Sequence, residues 1–101
     1  MDVGLASLPV RQKRISTPGL KGMEYLQQLD LCRALRQANP RFADYVLKSA
    51  SDEMWNLIDG KRTIGDIIDY VLLEFDLNTT PSLWVPIFSG WRHAGLIALT
   101  D

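Results

Sequence analysis

Thr63-Ile64-Gly65-Asp66-Ile67-Ile68-Asp69-Tyr70-Val71-Leu72-Leu73-Glu74-Phe75 sets its large apolar residues at a helical period. Counted from Ile64, the residues Ile67, Ile68, Val71, Leu72 and Phe75 follow at 3, 4, 7, 8 and 11 positions, which stacks all six on one stripe of an α-helix. Ile and Val favour strands by themselves, but the run is long and shows no period-2 alternation. Thr63 can cap the helix with its hydroxyl. Asp66, three residues on, completes a capping box and sits at the positive end of the helix dipole.

Upstream lies a shorter helix. Ser49 or Ser51 can cap it, Ala50, Met54, Leu57 and Ile58 form its apolar face with Trp55 at the flank, and Gly60 supplies a left-handed stop. Asp59-Gly60-Lys61-Arg62 is then a tight connection, so the two helices meet at a steep angle. Downstream, the loop Asn78-Thr79-Thr80-Pro81 leads to a third helix over residues 83–94, with Ser82 as cap, Pro86 in the first turn and Gly95 at the end. Trp84, Ile87, Phe88 and Trp91 share one side of it. Residues 96–99 read as a short terminal strand.

The first 48 residues carry weaker signals. Residues 1–22 hold Pro9, Pro18, Gly19 and Gly22 among few large apolar residues, which predicts a mobile N-terminal segment with one strand near 10–16. Residues 23–101 form the single domain. Within it, 24–37 favours helix by its Leu, Gln, Glu, Ala and Arg content, with Leu26, Leu29 and Cys32 inward and Asn39-Pro40 as the stop. Residues 42–48, with Ala43, Tyr45 and Leu47 alternating against Asp44, Val46 and Lys48, are read as a strand running into the helix that follows.

Composition bounds the function. The chain has 101 residues, 47% hydrophobic and 23% charged, the profile of one globular domain. A domain this short buries only about 60–65% of its unfolded surface, which leaves scant volume for an enclosed active site. The N-terminus lacks the pattern of a secretion signal, no apolar run is long enough for a membrane span, and the lone Cys32 suits a reducing compartment, so a cytoplasmic location is expected. Net charge is −1, unevenly spread. Residues 1–48 hold eight Lys/Arg against four acids and residues 49–101 three against eight, leaving +4 and −5.

Catalytic chemistry has little to work with. Cys32 and His93 are too few for a zinc site, no calcium-loop spacing occurs, and no Gly-rich phosphate loop is present. A Cys32–His93 nucleophile pair has no motif around it, and a lone Cys more commonly serves as a small buried hydrophobe. The expectation is a protein that is not an enzyme and carries no cofactor or metal. Two helices on a short turn, a third helix and a terminal strand outline a winged helix, yet Asp66, Asp69 and Glu74 on the free face of 63–75 would repel phosphate. The basic first 48 residues could still touch a nucleic-acid backbone, so a winged-helix regulator, or a protein adaptor, stands as the alternative function.

Met54-Trp55-Asn56-Leu57-Ile58-Asp59-Gly60-Lys61-Arg62-Thr63-Ile64-Gly65-Asp66-Ile67-Ile68 resembles PqqD-like proteins, in which a helix ends at Asp-Gly, a Thr opens the next helix and an apolar pair follows. Trp91-Arg92-His93-Ala94-Gly95-Leu96-Ile97 is similar to the closing segment of that family. These are RiPP recognition elements, small winged-helix domains that bind the leader of a ribosomally made precursor peptide and present it to a modifying enzyme. The resemblance covers the C-terminal half. The family places a three-stranded sheet before its first helix, whereas 24–37 reads as helix; either tertiary context overrides that propensity or an added helix interrupts the sheet.

The resemblance implies an α+β fold of N-terminal strands, three helices and a short terminal strand. It implies an accessory protein of RiPP biosynthesis. Its partners are the precursor leader peptide and a separate maturation enzyme, whether radical-SAM, iron-dependent or ATP-dependent, with no nucleic acid and no membrane. The leader is expected to add as a strand along Phe42, Tyr45, Val46, Leu47 and Lys48, with Arg92 in contact and Trp84, Phe88 and Trp91 either walling a cleft opposite or packed in the core. Arg33, Arg36 and Arg41 would steer an acidic leader towards it.

Overall fold

The computed structural model describes residues 3–12 and 30–100. Along the chain come strand β1 (Leu8–Arg11), helices α1 (Asp30–Ala38), α2 (Ala43–Asn56) and α3 (Ile64–Glu74), a 3-10 helix (Pro81–Trp84), helix α4 (Val85–His93) and strand β2 (Ile97–Thr100). This is a small α+β domain of four α-helices and one two-stranded antiparallel sheet among the described residues.

Helix α3 follows its sequence signature closely. Ile64, Ile67, Ile68, Val71 and Leu72 are buried, and the Asp66 N–H donates to Thr63 Oγ1 at 3.1 Å while the Asp66 carboxylate accepts from the Thr63 N–H at 3.3 Å. A helix leaves its first N–H groups without partners inside the helix. Here the N-terminal chain supplies acceptors: the Ile64 N–H donates to the Ser7 carbonyl and the Gly65 N–H to the Leu5 carbonyl, both at 2.8 Å. Gly65 permits this approach, since a Cβ there would stand 3.0 Å from the Leu5 carbonyl oxygen.

At the other end α3 closes with the Leu77 N–H on the Leu72 carbonyl (2.8 Å) and the Asp76 N–H on that of Leu73 (3.3 Å), a Schellman arrangement. Asp76 holds the left-handed position that glycine usually takes, at φ +53°. Asp76→Gly is therefore expected to raise stability by about 0.5–1 kcal/mol, a left-handed penalty of about 1–2 kcal/mol relieved against the extra unfolded-state entropy of glycine. Urea denaturation of the two proteins measures it. Helix α4 ends in the same way, with Gly95 (φ +77°) in the corresponding position and the Leu96 N–H on the Trp91 carbonyl at 2.9 Å.

The α2–α3 connection turns on Asp59 and Gly60. Gly60 adopts φ +79°, and Asp59 Oδ1 accepts from the Lys61 and Arg62 N–H groups at 2.9 and 3.0 Å. The Lys61 N–H is the chief cause, with the Arg62 N–H and guanidinium adding to it, of a carboxyl held below its ordinary value against a smaller desolvation effect. A lowered folded-state pKa adds stability that is fully present above the unfolded value of about 3.9 and is lost as pH falls through the lowered one. Asp59→Asn keeps an acceptor without a titration, so in melts between about pH 2 and pH 7 its stability should depend less on acid than that of the wild type.

Several expectations change at the N-terminal half. Residues 42–48, read as a strand, are the beginning of α2. Ala43, Ala50, Met54 and Trp55 are buried, and Val46 and Leu47 pack partly against the core, so the inward positions continue one helical stripe without a break at Ser49. Ser51, a candidate cap, lies mid-helix and buried, its hydroxyl donating to the Leu47 carbonyl at 2.6 Å. The N-terminal strand is Leu8–Arg11, and Ser16 with the rest of 13–29, including Leu26 and Leu29, lies outside the described residues. The expected helix over 24–37 is seen as Asp30–Ala38, with Leu31, Cys32 and Leu35 buried.

A mobile start gives way, over residues 4–12, to a docked segment. β1 pairs with β2 in the register Leu8↔Thr100, Pro9↔Leu99, Val10↔Ala98 and Arg11↔Ile97. The Arg11 guanidinium stacks 5.2 Å from the centre of the Trp55 ring and donates to the Trp55 carbonyl at 2.7 Å, fastening β1 to the last turn of α2. The third helix begins later than expected: Pro81–Trp84 forms the 3-10 turn, Trp84 takes the cap position of α4, and Ser82 makes no cap.

Candidate functional site

The anticipated cleft wall is core. Trp84, Phe88 and Trp91 are fully buried, along with Trp55. Trp91 stands edge-on to Trp55 (centroids 5.3 Å apart) and to Phe88 (5.1 Å), geometries favoured by aromatic quadrupoles. Trp84 donates its indole N–H to Thr79 Oγ1 at 2.8 Å. None of the three reaches solvent to meet a peptide, and the reason is simple: four large aromatics on facing helices are what fills the centre of so short a chain. Arg92 lies exposed on the last turn of α4, where a cation suits the negative end of the dipole.

The remaining predicted residues lie on α1, on the first half of α2 and in the turn between them. Asn39 to Phe42 make the turn, the Asn39 N–H closing α1 on the Leu35 carbonyl (2.8 Å) and the Val46 N–H opening α2 on the Phe42 carbonyl (2.8 Å). Phe42 is 57% exposed and Tyr45 71% exposed. Arg41 precedes them in solvent, and Lys48 follows Tyr45 at the i+3 position of the same helix, reaching Asp52 at 3.5 Å. Val46 and Leu47 turn towards the core and are partly buried against it.

Helix α1 brings the other two arginines. At about 100° per residue, Cys32 and Leu35 face inward, Arg36 falls on the side next to α2, and Arg33 on the outer crest. Burial chiefly pushes the Cys32 thiol up, with the Arg36 charge lowering it and the Asp44 charge of α2 raising it. A raised thiol pKa makes Cys32 a poor nucleophile near neutral pH. Arg33 pairs with Asp30 at 3.4 Å in solvent, a weak contact that leaves the guanidinium available to other anions.

On the opposite flank of α1 is a feature that the sequence did not announce. Ala34, Gln37 and Ala38 face Asn78, Thr79, Thr80 and Leu83 across an open concavity of about 380 Å³. The small side chains of Ala34 and Ala38 leave the space, and neutral hydroxyls and amides line it. Nothing in the periodicity could have pointed to it, because its two walls are separated by some forty residues that only the fold brings together.

Two further exposed side chains escaped the sequence reading, Tyr70 (55% exposed) and Leu73 (83%) of α3. The signal for Leu73 was present, since it falls off the apolar stripe. No helix among the described residues is long and apolar enough to cross a membrane. No family model, no curated protein and no solved structure matches the chain.

Proposed function

We propose that this protein is a non-catalytic recognition protein that binds the leader of a ribosomally synthesised precursor peptide and delivers it to a separate modifying enzyme, as its resemblance to PqqD-like winged-helix domains implies. The observation that supports the reading is the α1–α2 corner. Phe42 and Tyr45 stand in water, with Arg41 next to Phe42 in the chain, Lys48 one turn on along α2, and Arg33 and Arg36 on α1. Aromatic side chains left exposed where four cations outnumber Asp30, Asp44 and Asp52 suit an acidic peptide with apolar anchors, the rings giving affinity and the cations steering encounter. Residues 42–48 offer no strand edge, so the contact there is made by side chains against helices.

Synthetic leaders taken from short reading frames next to the gene test this directly, by fluorescence anisotropy. A cognate leader should lose roughly tenfold in affinity with Tyr45→Ser, the lower end of an aromatic anchor's contribution. Arg41→Glu should act on the association rate and fade with added salt. Leaders that bind the Phe42→Ser/Tyr45→Ser double variant as tightly as the wild type would remove this surface from consideration. Sequence-selective, submicromolar binding of duplex DNA would instead favour a regulator.

A further inference from the structure

The free face of α3 combines acidic side chains with two exposed hydrophobic ones. At about 100° per residue, Asp66, Asp69, Tyr70, Leu73 and Glu74 fall within an arc of about 140°, opposite the buried stripe. The helix Ile64–Glu74 contains no Lys or Arg, and among the described residues no cation pairs with Asp69 or Glu74. Leu73, at 83% exposure, is the most exposed large hydrophobic side chain described, and Tyr70 lies one helical step from it on the same face at 55%. An apolar ridge at i, i+3 spacing flanked by uncompensated carboxylates is a helix-packing surface with a defined charge preference.

We infer that this face docks a basic amphipathic helix of another protein, with Leu73 and Tyr70 interdigitating with its apolar side and Asp69 and Glu74 meeting its Lys or Arg. The inference is independent of the peptide-capture reading, since it uses none of the α1–α2 corner. Other occupants fit less well. Nucleic acid and anionic lipid would be repelled by the same carboxylates. Among the described residues no three His, Cys, Asp or Glu side chains are placed to share a metal ion. Two α3 faces cannot meet without opposing like charges. A second copy presenting its basic corner would make a head-to-tail contact, which builds rings or open filaments and shows as concentration-dependent association.

A labelled 14-residue Leu/Lys amphipathic peptide is the probe, with a Leu/Glu peptide of the same pattern as control, titrated by anisotropy against the whole protein. The Leu/Lys peptide should bind at least tenfold tighter than the control and weaken with salt. Leu73→Ser should reduce its affinity at least fivefold, and Asp69→Lys/Glu74→Lys at least tenfold, both changes being on solvent-exposed positions that leave the fold intact by circular dichroism. Glu53→Gln on α2 and Tyr45→Ser should leave the affinity unchanged, which separates this face from general attraction and from the α1–α2 corner. Equal binding of the two peptides, an unaltered affinity in Leu73→Ser, or loss of binding in Tyr45→Ser would overturn the proposal. So would concentration-dependent association of the protein alone that Leu73→Ser abolishes, which would make a second copy the occupant.

Discussion

Trp84→Ala is expected to lower the unfolding free energy by about 3–5 kcal/mol, the cost of emptying a large aromatic site in a close-packed interior. Trp84 is fully buried and its indole N–H is satisfied by Thr79 Oγ1, so the substitution leaves both a cavity and an unpaired hydroxyl. A domain of this size holds a total stability of about 5–15 kcal/mol, so the variant should be largely or partly unfolded at modest urea concentrations. Tyr45→Ala, by contrast, should change stability by no more than about 0.5 kcal/mol. A Trp84→Ala protein with wild-type urea midpoint and impaired peptide binding would restore this residue to a cleft wall.

Val46→Pro is expected to cost about 3 kcal/mol or more and to reduce helical content in far-UV circular dichroism. The Val46 N–H donates to the Phe42 carbonyl at 2.8 Å, the first regular bond of α2, and proline would both delete it and press its ring on that carbonyl. The preceding Tyr45 would also be driven from the helical region. If residues 42–48 were a solvent-edge strand, the same change would leave helical content untouched, so the spectrum separates the two structures before any ligand is added.

These two substitutions bear on the places where local pattern and final structure part. Residues 42–48 alternate well enough to read as a strand, but Ala43 and Ala50 fit a close helix contact, and the core contacts of Val46 and Leu47 at helical spacing outweigh a weak alternation. The aromatic residues of α4 were correctly placed on one side of a helix. Whether that side faces a cleft or a core depends on Trp55, some thirty positions earlier, and no periodicity carries that information. Of the candidate site, Phe42, Tyr45, Arg41 and Lys48 were legible as chemistry, whereas their arrangement at a helical corner was not. The concavity beside Ala34 joins residues far apart in the chain that no local pattern links, whereas the exposure of Leu73 follows from its place off the apolar stripe of α3.

By itself the sequence determined the features whose partners lie within a helical turn: the apolar stripe of α3, the reciprocal Thr63–Asp66 cap, the Asp59–Gly60 turn and the left-handed stop at Gly95. Each rests on bonds spanning two to five residues, so neighbouring side chains suffice to specify it. Tertiary structure alone decided that Leu8–Arg11 pairs with Ile97–Thr100, that the Leu5 and Ser7 carbonyls close the start of α3, and that Trp84, Phe88 and Trp91 are interior. The Thr100 hydroxyl reaches the Leu8 carbonyl across 92 residues of chain. Contacts of that separation are selected by which surfaces must leave water together, a property of the whole packed domain rather than of any stretch within it.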